Sequence, residues 1–293
     1  MVKAEYREET LEQLEDFFEF APVGMQVVDG EGIIQRANIA ELELLGYFGH
    51  ADDIVGKSVA SLFVDAGVVA DLMKRAQQGE TVNNVVTGLK ARDGAVVQAI
   101  VDVNAQRSET GAVLTTRWFV RPEKPMELPT PRAVQLSEDV VDKIARMSAE
   151  QKTYWFDVLN DFFDNAPVGV HFVGLNGVMM RANKAEVDLL GYSDDPGGYI
   201  GRHVRHIHHE TAVVESLLQR LVEGIPVISK EAYLKRKNGD LEAVLIYSGL
   251  RLKDGKFQNT RCFLFSNPSP SLPPTVTHVV GYSWPRNEEG VAA

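Results

Sequence analysis

The chain has 293 residues, enough for two domains of ordinary size, and 44% of them are hydrophobic, enough for real cores. Its 41 acidic residues outnumber 30 scattered basic ones, and the net charge of −11 argues against a nucleic-acid partner. Cys262 is the only cysteine, which excludes an intrachain disulfide and any thiolate metal cluster.

The opening MVKAEYREETLEQ has no apolar h-region, and no run reaches the ~18 apolar residues that span a bilayer. We therefore expect no membrane partner and a cytoplasmic location. Residues 1–13 read as a helical extension, continued by Leu14 and Phe18. Ala21-Pro22-Val23-Gly24 ends the helix, because proline removes a donor and favours an extended chain before it. Strands are expected over 25–28 and 33–35 around a glycine-bearing turn. Asn38 then offers a helix cap and Gly46 a helix stop. A longer helix over 68–78 and strands over 82–91, 95–104 and 113–120 complete the unit.

Pro122, Pro125, Pro129 and Pro131 mark a semi-rigid linker over 122–136. A connecting helix is expected over 137–158, capped by Ser137 and continuing to Phe162. Its seam is Val141, Ile144, Trp155, Val158 and Phe162, interrupted by Ser148 and Gln151. Two roles stay open for it: packing on its own domain, or dimerising and carrying signal.

The first unit then recurs. Phe17-Phe18 with Ala21-Pro22-Val23-Gly24 returns 145 residues later as Phe162-Phe163 with Ala166-Pro167-Val168-Gly169. The same offset carries Arg36-Ala37-Asn38 onto Arg181-Ala182-Asn183, and Leu44-Leu45-Gly46-Tyr47 onto Leu189-Leu190-Gly191-Tyr192. Thr116-Arg117 matches Thr260-Arg261 one residue out of step, so the preceding hairpin has changed length. Such register over a hundred residues is a duplication. The second copy is expected to hold a helix over 212–223 and strands over 227–235, 241–249 and 257–265. Its Lys235-Arg236-Lys237 run precedes Asn238-Gly239 and reads as a solvated hairpin end. Both copies are α+β, each a five-stranded antiparallel sheet with helices on one face.

The string FFxxAPVGxxxV followed by RAN, LLGY, a glycine-ended helix and a [KR][DN]G turn resembles the PAS domain family, twice. The resemblance covers 14–121 and 159–266. It implies two tandem PAS domains whose helices close a pocket against the sheet, and a sensory role for a small ligand, redox state, oxygen or light. It implies a homodimer and a signalling partner in trans. A proline-rich tail follows over 267–293, and the chain holds no phosphate-cradling loop and no Gly-x-Ser-x-Gly elbow. No catalytic output domain is expected within it.

The halves differ most at Gly201-Arg202-His203-Val204-Arg205-His206-Ile207-His208-His209, where the first copy has no histidine. Imidazole ligates iron, zinc and copper, which makes haem the first candidate cofactor and His206 or His209 the metal ligand. If the stretch is extended, His206 and His208 share a side. Haem-binding relatives take their histidine further along, near Ser216 here, so that match fails. The resemblance also offers a metal-free turn at His208-His209-Glu210, and a polar ligand contact remains open. Flavin is the second candidate: Trp118 could stack on it or fill the core. Thr260-Arg261-Cys262-Phe263-Leu264 looks like the flavin-adduct motif of light-sensing relatives but falls on the last strand rather than a helix. His171 and Met179 sit on the first hairpin, facing the pocket or filling it.

Overall fold

The computed structural model describes residues 2–124, 136–253 and 255–270, in two compact units. Most of the expected linker and tail, residues 125–135 and 271–293, lies outside the described residues.

The first unit opens with α1 (Val2–Glu19), then a hairpin of β1 (Gly24–Asp29) and β2 (Ile34–Ala37). Helix α2 (Ile39–Leu44) and two short 3-10 turns lead to α3 (Ala66–Gln77), and β3 (Val82–Lys90), β4 (Val96–Arg107) and β5 (Val113–Pro122) follow. The strands form one antiparallel sheet in the order β2-β1-β5-β4-β3. Alternation along β5 sends Trp118 and Val120 into a core shared with Leu42, Leu45, Val69 and Leu72 of α2 and α3. Phe119 points the other way.

The second unit repeats the order. Helix α4 (Leu136–Arg146) precedes α5 (Ala149–Asp164), and β6 (Gly169–Gly174), β7 (Met179–Ala182) and α6 (Lys184–Leu189) follow. Then come the single turn α7 (Val204–Ile207), α8 (Thr211–Val222), β8 (Val227–Lys235), β9 (Leu241–Lys253) and β10 (Lys256–Ser266). Its sheet runs β7-β6-β10-β9-β8. The one-residue length change falls in the β9–β10 hairpin.

The two asparagines tie each unit together. Asn38 Oδ1 accepts from Met25 N at 2.8 Å and Glu41 N at 3.0 Å, while its amide donates to Phe18 O and Val23 O. Asn183 repeats this with Val170, Glu186 and Val168. Gly46 and Gly191, at φ +74 and +77, close α2 and α6. In each, the following tyrosine N–H reaches back to the carbonyl of Leu42 or Val187, a Schellman ending.

The connecting segment, expected as one helix with its seam interrupted at Ser148 and Gln151, is two helices. It breaks between α4 and α5, where Ser148 Oγ accepts from Gln151 N at 3.2 Å and Gln151 Oε1 accepts from Ser148 N at 2.9 Å. This capping box starts a new helix, and the phase changes there. Val141 is therefore exposed while Val140 and Ile144 are buried. The helix begins at Leu136, one residue before Ser137.

From Tyr154 onward α5 belongs to the first unit. Phe162 lies 5.3 Å from Phe119 and 5.5 Å from Phe18, and Phe163 meets Phe17 edge-on at 5.4 Å. Asp161 pairs with Arg117, and Asn104 Nδ2 donates to Asn165 O at 2.8 Å. Arg36 is held by both Glu15 oxygens and sits between the Phe18 and Trp155 rings at 4.6 and 4.7 Å. The outer face of the first sheet is thus covered by helix as well.

Candidate functional site: a polar cavity in the second unit

Between the second sheet and α7–α8 lies a cavity of about 40 Å³. Val204, Val214, Leu217, Leu221 and Ile246 make its apolar wall, and the polar border is His171, His208, Ser248, Thr260 and Cys262. Strand pairing creates this group. Cys262 on β10 stands opposite His171 on β6 and Ser248 on β9.

The polar side chains form one connected series. Tyr199 Oη donates to Glu186, a fully buried carboxylate on α6. Glu186 oxygens lie 2.8 and 2.9 Å from His171 Nδ1. The His171 imidazole hydrogen-bonds the Cys262 thiol, whose Sγ is also 2.9 Å from Ser248 Oγ and 3.5 Å from Thr260 Oγ1. Burial opposes charge on His171, but Glu186 and then Cys262 outweigh it and hold its pKa well above the usual histidine range. Burial also opposes ionisation of Cys262, yet His171 and the two hydroxyls bring the thiol below its ordinary value. His208 behaves oppositely. Burial, then His171 and Lys235, push it down to about 3, so it is neutral, and its Nδ1 is buried without a hydrogen-bond partner among the described residues.

The expected site residues divide. His171 and His208 line the cavity; His203, His206 and His209 do not. The reason is local. His203 caps α7, its Nδ1 accepting from Arg205 N at 3.2 Å, and one helical turn then buries Val204 and Ile207 while exposing His206. His206 and His208 are thus not on one side, as an extended chain would place them. His209 is half-buried, its N–H bonded to Tyr233 O. Among the described residues no three His, Cys, Asp or Glu side chains are placed to hold a metal ion. Ligand sites for drug-sized molecules run to ~300–1,000 Å³, so this cavity as it stands does not fit a haem or a flavin.

Trp118 lies in the first core, 1% exposed, its ring edge-on to Phe63 at 5.9 Å and its Nε1 donating to Thr116 Oγ1 at 2.7 Å. Met179 is buried in the second core. Sequence reasoning missed Glu186, Tyr199 and Ser248, and treated Cys262 only as a strand residue. Glu186 did carry a signal, since Glu41 stands 145 residues before it in the same place after the capping asparagine.

A PAS-fold family model matches residues 12–122, and a second PAS-fold model matches 163–260. The chain belongs to the PAS family, with two tandem PAS domains, and is of the sensory class that family defines. The PAS domain of an HTR-like protein from Haloarcula marismortui is 25% identical, with 42% of this chain and 99% of that one covered, at a TM-score of 0.36. A domain of a sensory box histidine kinase/response regulator from Geobacter sulfurreducens is 23% identical over 36% of this chain and 86% of its own, at 0.30. An RNA-binding light-oxygen-voltage receptor is 11% identical, covering 83% and 95%, at 0.34. Among curated proteins none matches the chain.

Proposed function

We propose that the chain is a cytoplasmic sensory regulator in which the second PAS domain holds the ligand and the first is a filled, structural copy. One observation carries this reading. At equivalent places the first copy has Phe63 and Trp118 in ring contact, where the second has His208 and Cys262 bordering a cavity. Duplication kept the frame and exchanged its contents. The space suits a molecule of a few non-hydrogen atoms that can hydrogen-bond, since about 10–15 Å³ by the same measure holds one water.

The signal would pass through contacts with a second copy or a partner protein, for which Val141 and Tyr154 stand exposed on the connecting helices. The net charge of −11 supports a partner other than nucleic acid. Among the described residues no helix is long and apolar enough to cross a membrane. A lone free cysteine suits a reducing compartment.

Methyl NMR with ethanol as the probe tests the assignment. Shifts confined to Val214, Leu217 and Leu221, with Val69 and Leu72 of the first domain unmoved, are the expected result. Equal shifts in both domains, or none in either, would overturn it.

A further inference from the structure

We infer that the second-domain cavity is a hydroperoxide site at which Cys262 is oxidised to the sulfenic acid. This rests on reading that domain as the ligand-holding one and names its ligand class.

Four observations converge. Cys262 Sγ faces the cavity with Ser248 Oγ, Thr260 Oγ1 and the His171 imidazole gathered around it, a polar setting that stabilises a thiolate. His208 borders the same cavity, 4% exposed, with Nδ1 unsatisfied, although buried ring nitrogens ordinarily find a partner. A ligand carrying a polar atom there removes that cost. The volume of about 40 Å³ admits hydrogen peroxide, with two heavy atoms, and the leucine and valine wall excludes bulkier oxidants. The first copy, with Phe63 and Trp118 in these places, has neither the thiol nor the unsatisfied nitrogen.

The chemistry balances with the peroxide as oxidant. The Cys262 thiol passes its proton to the His171 imidazole and the sulfur attacks one peroxide oxygen; the S–O bond forms as the O–O bond breaks. Sulfur loses two electrons and the peroxide gains them. The departing hydroxide takes that proton from the His171 imidazolium and leaves as water. Thiol plus hydrogen peroxide thus becomes sulfenic acid plus water. His208 holds and orients the peroxide through Nδ1.

Because Cys262 is the only cysteine, thiol loss reports one site. The folded, reduced full-length protein is treated with hydrogen peroxide, quenched with catalase, then unfolded in urea with dimedone present and weighed by mass spectrometry. One adduct is expected, from sulfenic acid formed before unfolding about tenfold faster than on free cysteine. tert-Butyl hydroperoxide should react about tenfold more slowly than hydrogen peroxide through the narrow cavity. His208→Phe, which restores the residue type of the first copy, should slow the peroxide reaction comparably while amide exchange stays native. Oxidation only when the peroxide is added after unfolding in urea, or equal rates for both hydroperoxides, would overturn the proposal. Ethanol-induced methyl shifts separate the two failures. If they persist while Cys262 stays inert, the sensor reading stands and the peroxide assignment falls; if both vanish, both fall.

Discussion

Two glutamates do opposite things in the same position. Glu186 is answered by His171 and Tyr199, whereas Glu41 in the first domain has, among the described residues, only the Gln26 amide, and its Oε2 is buried without a partner there. Gly24 is needed beside it, since a Cβ there would fall 2.2 Å from that oxygen. Burial, opposed only by the Gln26 hydrogen bond, raises Glu41 from 4.5 to about 7. A carboxyl with a raised folded pKa contributes stability that is complete below its unfolded value and is lost as pH rises through the folded one. The first domain should therefore weaken between pH 4.5 and 7 by about 3–4 kcal/mol, using ~1.4 kcal/mol per unit. Urea unfolding across that range checks it. Glu41→Gln should flatten the slope and raise stability above pH 7; an unchanged slope would mean that Glu41 ionises freely in the folded protein.

At the scale of elements, the sequence patterns differed in how much they could carry. Helix ends and hairpins were legible because their causes are local: Asn38 and Asn183 cap, Gly46 and Gly191 stop, and proline ends the preceding helix. The break between α4 and α5 was written just as locally, as Ser148-x-x-Gln151; the two residues were legible as an interruption of the apolar seam, but not as the cap of a new helix. The histidine cluster misled for a related reason. Proximity in sequence drew attention to 203–209, but one helical turn turns His206 outward, and the polar side chains that border the cavity with His208 come from strands paired across the sheet. Glu186 was hidden because Asn-x-x-Glu reads as a capping box whose glutamate stays at the surface, whereas here it turns inward. The capping box at Ser148 has a checkable consequence. Ser148→Ala should cost about 1 kcal/mol and speed amide exchange in the first turn of α5, leaving α4 unaffected. Equal loosening of both helices would show them to be one cooperative unit.

Across the whole molecule, the duplication separates what specifies the fold from what specifies the site. Asparagine knots, Schellman endings and the buried glutamates recur in both copies, while Phe63 and Trp118 give way to His208 and Cys262. The ring pair of the first copy occupies the places that border a cavity in the second. Trp118→Cys, which places the second copy's residue in the first, removes a fully buried ring and should destabilise the first domain by about 3–5 kcal/mol. Adding Phe63→His should cost less than the sum of the single changes by more than about 0.5 kcal/mol, because the two rings contact each other and either loss already opens the space. Amide exchange of β4 and β5 reads the first domain, and that of β9 and β10 the second. Protection should fall in the first pair alone. A matching fall in β9 and β10 would show that the copies share their stability, and that the ring pair serves the cavity-bearing domain as much as its own.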